Sequence, residues 1–354
     1  MSKLNVAVIF GGCSYEHDIS IESASTIISN IPTSKYNVIP IYITKEGKWL
    51  LYDGEVTNIK NIDFEKFGTP TTISTDRDRK GVMRMVGEKF KNVKIDVFFP
   101  VLHGRNGEDG TIQGIFEIAD VPYVGCGVLS SAVSMDKVFT KLIVNNTKIK
   151  QASFLSFKKE DLEDMNAVVK RIRSKLGYPC FVKPAISGSS IGISKANDKK
   201  ELVEAINIAI KHDSKILVEK FIKGRELECA VLGSGGKDTL VSTVGEVDAA
   251  DEFYDFESKY NNPESKTIIP AEIPEEYIKE IQNSALEIFK LLNCSGLSRV
   301  DFFLEEGTNK IFFNEINTLP GFTNISMYPM LCDTMGFSIS DLLDKLIQLA
   351  LVRD

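Results

Sequence analysis

The sequence predicts an α/β protein whose N-terminal unit is built on a parallel sheet. Three observations carry that reading. The first 125 residues alternate apolar runs of strand length with segments at helical spacing, the order that parallel strands joined by crossover helices require. Two of these strands end in glycine-rich stretches that open a helix, which is where α/β sheets gather ligands. Beyond residue 135 the alternation continues in two further stretches, so 354 residues suffice for two or three compact units.

Taken in order, residues 5–10 (NVAVIF) form a buried strand that stops at Gly11-Gly12. Residues 18–31 carry apolar side chains at helical spacing and Pro32 ends them. Residues 37–44 and 93–102 give the second and third strands, and the polar stretch 49–92 between them is an irregular excursion. A helix over 111–119 and a short strand over 121–125 close this unit. The next begins near Met135, with helices over 136–145, 159–176 and 199–212 and strands over 178–184 and 215–219. The last alternates strands (227–233, 300–304, 310–315) with helices (275–292, 338–351). An aromatic, charged loop over 248–266 has the length of a lid or binding loop.

Charge and composition narrow the function. Forty-two Lys and Arg against 49 Asp and Glu give a net charge of −7, which argues against nucleic-acid or membrane surfaces as partners. An anionic small ligand stays open, because it needs only a few local cations. Six scattered cysteines without a CxxC pair read as reduced thiols of a cytoplasmic protein. Three histidines without HExxH spacing argue against a histidine-built zinc site. The opening MSKLNVAVIFGG runs straight into a strand, without a signal-peptide pattern.

Five segments carry candidate chemistry. In FVKPAISGSSIG (181–192) a strand delivers Lys183 into a Gly/Ser loop whose backbone N–H groups can approach phosphate oxygens. Alone, such a loop is more often a plain turn, and the lysine precedes the glycines, unlike the GxxxxGK[ST] loop. In SRVD (298–301) and FFNEIN (312–317), Glu315 and Asn317 share a strand face by period 2. Together with Asp301 they form an oxygen donor set suited to Mg²⁺. Carboxylates set among Val300, Phe302, Phe303 and Phe313 are costly to bury without a cation. Arg299 shares the Asp301 face, where it can meet developing negative charge. EKFIKGRE (219–226) fits an adenosine pocket, although a charged hairpin is the commoner reading. HGRNGEDG (103–110) and GGCSYEHD (11–18) sit at strand-to-helix junctions; the first also reads as a turn capped by Glu108 or Asp109.

Taken together, FGGCSYEHDIS, HGRNGEDGTIQG, SMDK, VKPAISGSSIG, EKFIKGRE, EFYDFESKY, SRVDFF and NEINTLPGFTNISMYP resemble, in order and over nearly the whole chain, the D-alanine–D-alanine ligases of the ATP-grasp superfamily. The resemblance implies three domains, 1–125, 126–219 and 220–354, with ATP between the second and third. Lys137, Lys183 and Lys259 would contact its phosphates. Glu219 and Glu226 would hold the adenosine, and Phe221 and Ile222 would wall the adenine. Asp301, Glu315 and Asn317 would bind two Mg²⁺, with Mn²⁺ as a substitute. Glu16 would engage the first D-alanine's ammonium, and His103 would lie near its carboxylate. Arg299 and the Gly321 N–H would form the oxyanion site, Ser326 would hold the second carboxylate, and Ser189 and Tyr260 would link to Glu16 and close the site. The resemblance also implies an acyl-phosphate mechanism, two D-alanines as substrates and a homodimer. Met327 gives an apolar second subsite suited to D-alanine, while a D-alanine–D-serine ligase is the rival, with Asp248 as a candidate hydroxyl acceptor.

Overall fold

The computed structural model describes residues 2–54, 56, 58–248 and 266–353. Strand β1 (Leu4–Gly11) leads through helix α1 (His17–Asn30) to β2 (Tyr36–Ile43) and β3 (Trp49–Leu51). A one-turn helix α2 (Phe64–Phe67), β4 (Thr69–Ile73), β5 (Gly81–Val86), β6 (Lys89–Lys94), β7 (Val97–Val101) and helix α3 (Thr111–Ala119) follow. The strands make one sheet in the order β6-β5-β4-β3-β2-β1-β7. Its heart is parallel as the sequence implies, β1 pairing in parallel with both β2 and β7. The stretch 49–92 is not irregular: β3 to β6 extend the sheet as antiparallel strands. Strand β6 is largely exposed and β3 has only three residues, so neither carries an apolar alternation long enough to read. The strand expected over 93–102 is two elements, and that expected over 121–125 shrinks to one bridge between Phe98 and Tyr123.

The second unit opens with helices α4 (Val128–Met135) and α5 (Lys137–Val144). Asp136 caps α5, accepting from the Val138 and Phe139 N–H groups at 3.1 Å each. Strand β8 (Phe154–Lys158), helix α6 (Met165–Lys175), β9 (Cys180–Pro184), β10 (Ser194–Ala196), helix α7 (Lys199–Ala209) and β11 (Lys215–Lys220) complete it. The helix expected over 159–176 begins as a 3₁₀ segment, Lys159–Asp164, because Asp164 caps a fresh start at Met165 by accepting from Ala167 N–H at 3.0 Å. The sheet order is β10-β9-β11-β8, all antiparallel.

The third unit comprises β12 (Gly224–Gly233), β13 (Leu240–Asp248), β14 (Lys266–Ile268), helix α8 (Glu275–Leu291), β15 (Gly296–Glu305) and β16 (Ile311–Asn317). Its sheet is antiparallel, in the order β14-β13-β12-β15-β16. Helices α9 (Met327–Asp333) and α10 (Ile339–Leu351) then return to the first sheet. Leu342, Leu343 and Leu346 share one buried core with Val6, Val8 and Phe10 of β1 and with Leu232 and Leu297 of the third sheet. Each such side chain contributes roughly 1.5–3 kcal/mol on burial, so this shared core locks the first sheet against the third. Among the described residues no helix is long and apolar enough to cross a membrane. All six cysteines are free thiols, and only Cys13 is exposed.

Candidate active site

The end of β1 is held open by two glycines. Gly11 and Gly12 have φ of +89° and +94°, and a Cβ on Gly11 would lie 2.2 Å from the Ile43 carbonyl oxygen. From here the chain turns to place Glu16 at the head of α1. Buried Ser20 of α1 accepts from the Gly11 N–H at 2.8 Å and donates to the Val101 carbonyl, tying the ends of β1 and β7 to the helix. Glu16 is buried and accepts a hydrogen bond from Ser189, across 173 residues of sequence. Both Gly104 and Gly188 would carry a Cβ 2.5 Å from Glu16 Oε2, so a side chain at either position would displace this carboxylate. Ser189 and Ser190 adopt left-handed φ of 47° and 58°.

Glu108 is not a helix cap, as the sequence allowed. It lies buried beside Glu16 and accepts from the Gly104 N–H at 2.7 Å. Burial, then the nearby Glu16 charge, push its carboxyl up to about 8. Asp109 supplies the local turn bond instead, accepting from Thr111 N–H at 3.0 Å. Buried His103 meets the Leu319 carbonyl through Nδ1 at 3.1 Å and Ser23 Oγ through Nε2 at 3.2 Å. Ser23 Oγ also accepts from Phe322 N–H at 3.2 Å, so a proton on Nδ1 with Ser23 donating to Nε2 satisfies all three contacts.

Across the molecule, β12, β15 and β16 present a row of carboxylates. Glu228 stands opposite Asp301, and Asp301 opposite Glu315; Arg299 stands opposite Asn317. A bulge on β16 sets this face. Phe302 pairs with Phe313 and Asp301 with Glu315, leaving Asn314 as an extra residue. Without it, strict alternation would put Glu315 and Asn317 on the core side with Ile311 and Phe313. Arg299 grips Asp301 with Nε and Nη2 at 2.8 and 2.7 Å, and its Nε lies 3.0 Å from Glu228 Oε2. All three side chains are buried. Burial works against the guanidinium charge, but Asp301 and Glu228 outweigh it and hold the Arg299 pKa well above its ordinary value. Among the described residues no three His, Cys, Asp or Glu side chains gather as a metal cluster. The expected donor set has only two carboxylates, with the Asn317 amide oxygen, which accepts from Leu319 N–H at 3.0 Å, as its third member. The chemistry nonetheless fits a hard divalent cation. Like charges directly opposite one another on neighbouring strands are destabilising, and Arg299 together with Lys137, 3.7 Å from Glu315, still leaves this three-carboxylate row negative.

Glu219 lies buried at the end of β11 between two lysines, Lys141 at 2.6 Å and Lys183 at 2.7 Å. Burial alone would raise its pKa, but the two cations outweigh burial and hold it at about 2. Its carboxylate is therefore directed at the lysines, and sequence reasoning missed Lys141, one helical turn beyond Lys137. Lys137 Nζ donates to the Ser187 carbonyl at 2.6 Å and lies 3.7 Å from Glu315.

These residues border two adjoining cavities. Glu16, His103, Lys137, Ser189, Arg299, Asn317, Gly321, Ser326 and Met327 line one. Lys183, Glu219, Phe221, Ile222 and Glu226 line the other. Glu315 lines both. Asp301 lines neither, being buried beneath Arg299, and Asp248 borders the second cavity rather than the Met327 end of the first. Lys259 and Tyr260 lie outside the described residues. Glu228 is a second residue that sequence reasoning passed over; its signal was an acid interrupting the apolar run 227–232 of β12.

Comparison with known proteins bears on this arrangement. Residues 5–126 match the family model for the D-ala D-ala ligase N-terminus, and residues 143–348 that for the C-terminus. The chain is 50% identical to the D-alanine–D-alanine ligase of Acetivibrio thermocellus, over 99% of this chain and 96% of that protein. It is also 50% identical to that of Caldicellulosiruptor bescii, over 100% and 97%. Among solved structures, the VanG D-Ala:D-Ser ligase from Enterococcus faecalis superposes with a TM-score of 0.89 at 43% identity, covering 99% of this chain and 100% of that one. The D-alanine–D-alanine ligase from Coxiella burnetii gives 0.85 at 34%, covering 99% and 94%.

Proposed function

Because the chain belongs to the D-alanine–D-alanine ligase family, we propose that its two adjoining cavities are the amino-acid and nucleotide halves of one ligase site. The enzyme joins two D-alanines at the expense of ATP, with a divalent metal, to make D-alanyl-D-alanine for peptidoglycan. One observation carries the site assignment: Glu315 borders both cavities and stands opposite Asp301.

In the nucleotide half, Phe221 and Ile222 wall the adenine and Glu226 holds the ribose. Lys183 and Lys137 face the phosphates, while Glu219 fixes the direction of Lys183. Asp301, Glu315 and Asn317 would hold two Mg²⁺, or Mn²⁺ in their place. When bound, the cations neutralise phosphate charge at the transferring group. In the amino-acid half, Glu16 takes the first D-alanine's ammonium and His103 lies near its carboxylate. That carboxylate attacks the γ-phosphorus, the bond to the β–γ bridging oxygen breaks, and ADP leaves an acyl phosphate behind. The second D-alanine, held through Ser326, brings its amine to the acyl carbon and phosphate leaves. Arg299 and the Gly321 N–H stabilise the oxyanion. Ser189 latches the small loop to Glu16, excluding water that would hydrolyse the acyl phosphate. The domain division is 1–125, 126–219 and 220–354, and the protein acts as a cytoplasmic homodimer.

The D-serine reading has one observation behind it, the likeness to VanG. The buried Met327 side chain, packed against Gly245, favours D-alanine, since a serine hydroxyl left unpaired there costs roughly 1–3 kcal/mol. Phosphate release from ATP should require D-alanine. With D-alanine and D-serine competing at neutral pH, D-alanyl-D-alanine should dominate the products. Release without D-alanine overturns the ligase assignment, and a predominance of D-alanyl-D-serine overturns the subsite assignment.

A further inference from the structure

Arg299 is shared by two buried carboxylates, and only one of them has been given a task. Its Nε and Nη2 donate to Asp301 at 2.8 and 2.7 Å, and Glu228 Oε2 stands 3.0 Å from Nε. The three side chains are between 5 and 8% exposed, so water does little to screen them. The β12–β15 register puts Glu228 directly opposite Asp301, on the far side from Glu315. Two negative charges placed opposite each other repel unless a cation lies between them, and here the guanidinium does so.

The two demands on Asp301 compete. A carboxylate whose oxygens both accept from an arginine cannot direct them fully to a metal ion. When it turns toward the metal it weakens its hold on the guanidinium. An arginine left with no other partner in a buried site would be free to swing, and its aim at a developing oxyanion would be lost. Glu228 is the second anchor, on a neighbouring strand and outside the expected donor set of Asp301, Glu315 and Asn317.

We propose that Glu228 is a positioning residue that holds Arg299 in place while Asp301 is drawn to a divalent cation. Glu228 thereby sets how readily the site accepts the metal. This rests on the reading of Asp301 as a metal ligand, and it adds a residue to which no role had been attached.

The test is Mn²⁺ binding, followed by electron paramagnetic resonance, to the full-length enzyme holding a non-hydrolysable ATP analogue. Glu228→Gln, Glu228→Asp and Asp301→Asn are compared with the unaltered protein, and each variant's melting temperature is recorded. Glu228→Gln should weaken Mn²⁺ binding about fivefold or more and lower kcat at least tenfold with the KM for ATP within threefold. Glu228→Asp, which keeps the charge, should recover Mn²⁺ affinity to within threefold even where kcat stays low. That recovery separates positioning from mere packing and stands if the Gln variant does not fold. If Asp301→Asn loses Mn²⁺ but neither Glu228 variant shifts it, the role of Glu228 is overturned while the metal site stands. If Asp301→Asn leaves Mn²⁺ binding intact, the metal reading fails and the Glu228 role falls with it.

Discussion

Ser189 donates its hydroxyl proton to the carboxylate of Glu16, joining the small Gly/Ser loop after β9 to the head of α1. Glu16 follows a strand of the first sheet and Ser189 a strand of the second, so the bond forms only when the loop is folded over the amino-acid cavity. A hydrogen bond to a charged group contributes about 1.5–3 kcal/mol. Ser189→Ala should therefore lower kcat/KM for the first D-alanine by roughly tenfold to a hundredfold. Steady-state kinetics at saturating ATP check this, and an unchanged constant would show that the bond does not close the site.

Gly245 packs against Met327. A Cβ there would lie 2.6 Å from Met327 Sδ, the far part of a flexible side chain. Gly245→Ala should fold, at a cost of about 1–3 kcal/mol for overpacking, and push Met327 into the second subsite. The expected result is a raised KM for the second D-alanine with the KM for ATP unchanged, read from separate substrate titrations and a thermal melt. Met327→Arg should shift product ratios away from D-alanyl-D-alanine.

Glu315→Ala should lose at least a hundredfold in turnover, on the order expected when a transition-state stabilising contact is removed, and stay folded. The carboxylate faces the cavities while Ile316 beside it is buried in the core, so the change leaves packing intact. Circular dichroism and saturating-metal kinetics decide it; retained activity removes Glu315 from the metal site.

Two acids give opposite pH signatures. Glu108 is pushed up to about 8 by burial and by Glu16, so between the ordinary glutamate range and pH 8 the folded state holds a proton that the unfolded state has released. Its contribution to stability is lost as pH rises through that window. Glu219, held at about 2 against burial by Lys141 and Lys183, contributes stability that is present above the ordinary glutamate range and lost as pH falls toward 2. Thermal melts against pH should show Glu108→Gln flattening the decline between about pH 5 and 8, and Glu219→Gln flattening the acid limb.

Much of this site can be read from residue order. Period-2 spacing put Arg299 with Asp301 and Glu315 with Asn317, and the family resemblance linked Ser189 to Glu16. What sequence could not supply was the extra residue at Asn314, because a bulge is set by pairing with β15 and leaves no mark on local composition. The antiparallel strands over 49–92 were hidden for a different reason. Residues 89–94 face solvent along nearly their whole length, so no buried face imposes an alternation. Lys141 and Glu228 look like stray charges in apolar segments until the fold brings Glu219 and Arg299 against them. Glu108 resembles a cap because its neighbour Asp109 is the one that makes the turn bond.

The most direct measurement is a crystal structure of the enzyme with ADP, Mg²⁺ and a phosphinate mimic of the dipeptide. Electron density for the cation between Asp301, Glu315 and Asn317, with the mimic's ammonium on Glu16 and the nucleotide against Phe221 and Lys183, is the expected result. A cation bound away from those three oxygens, or a nucleotide outside the cavity that Glu315 shares, would contradict the assignment.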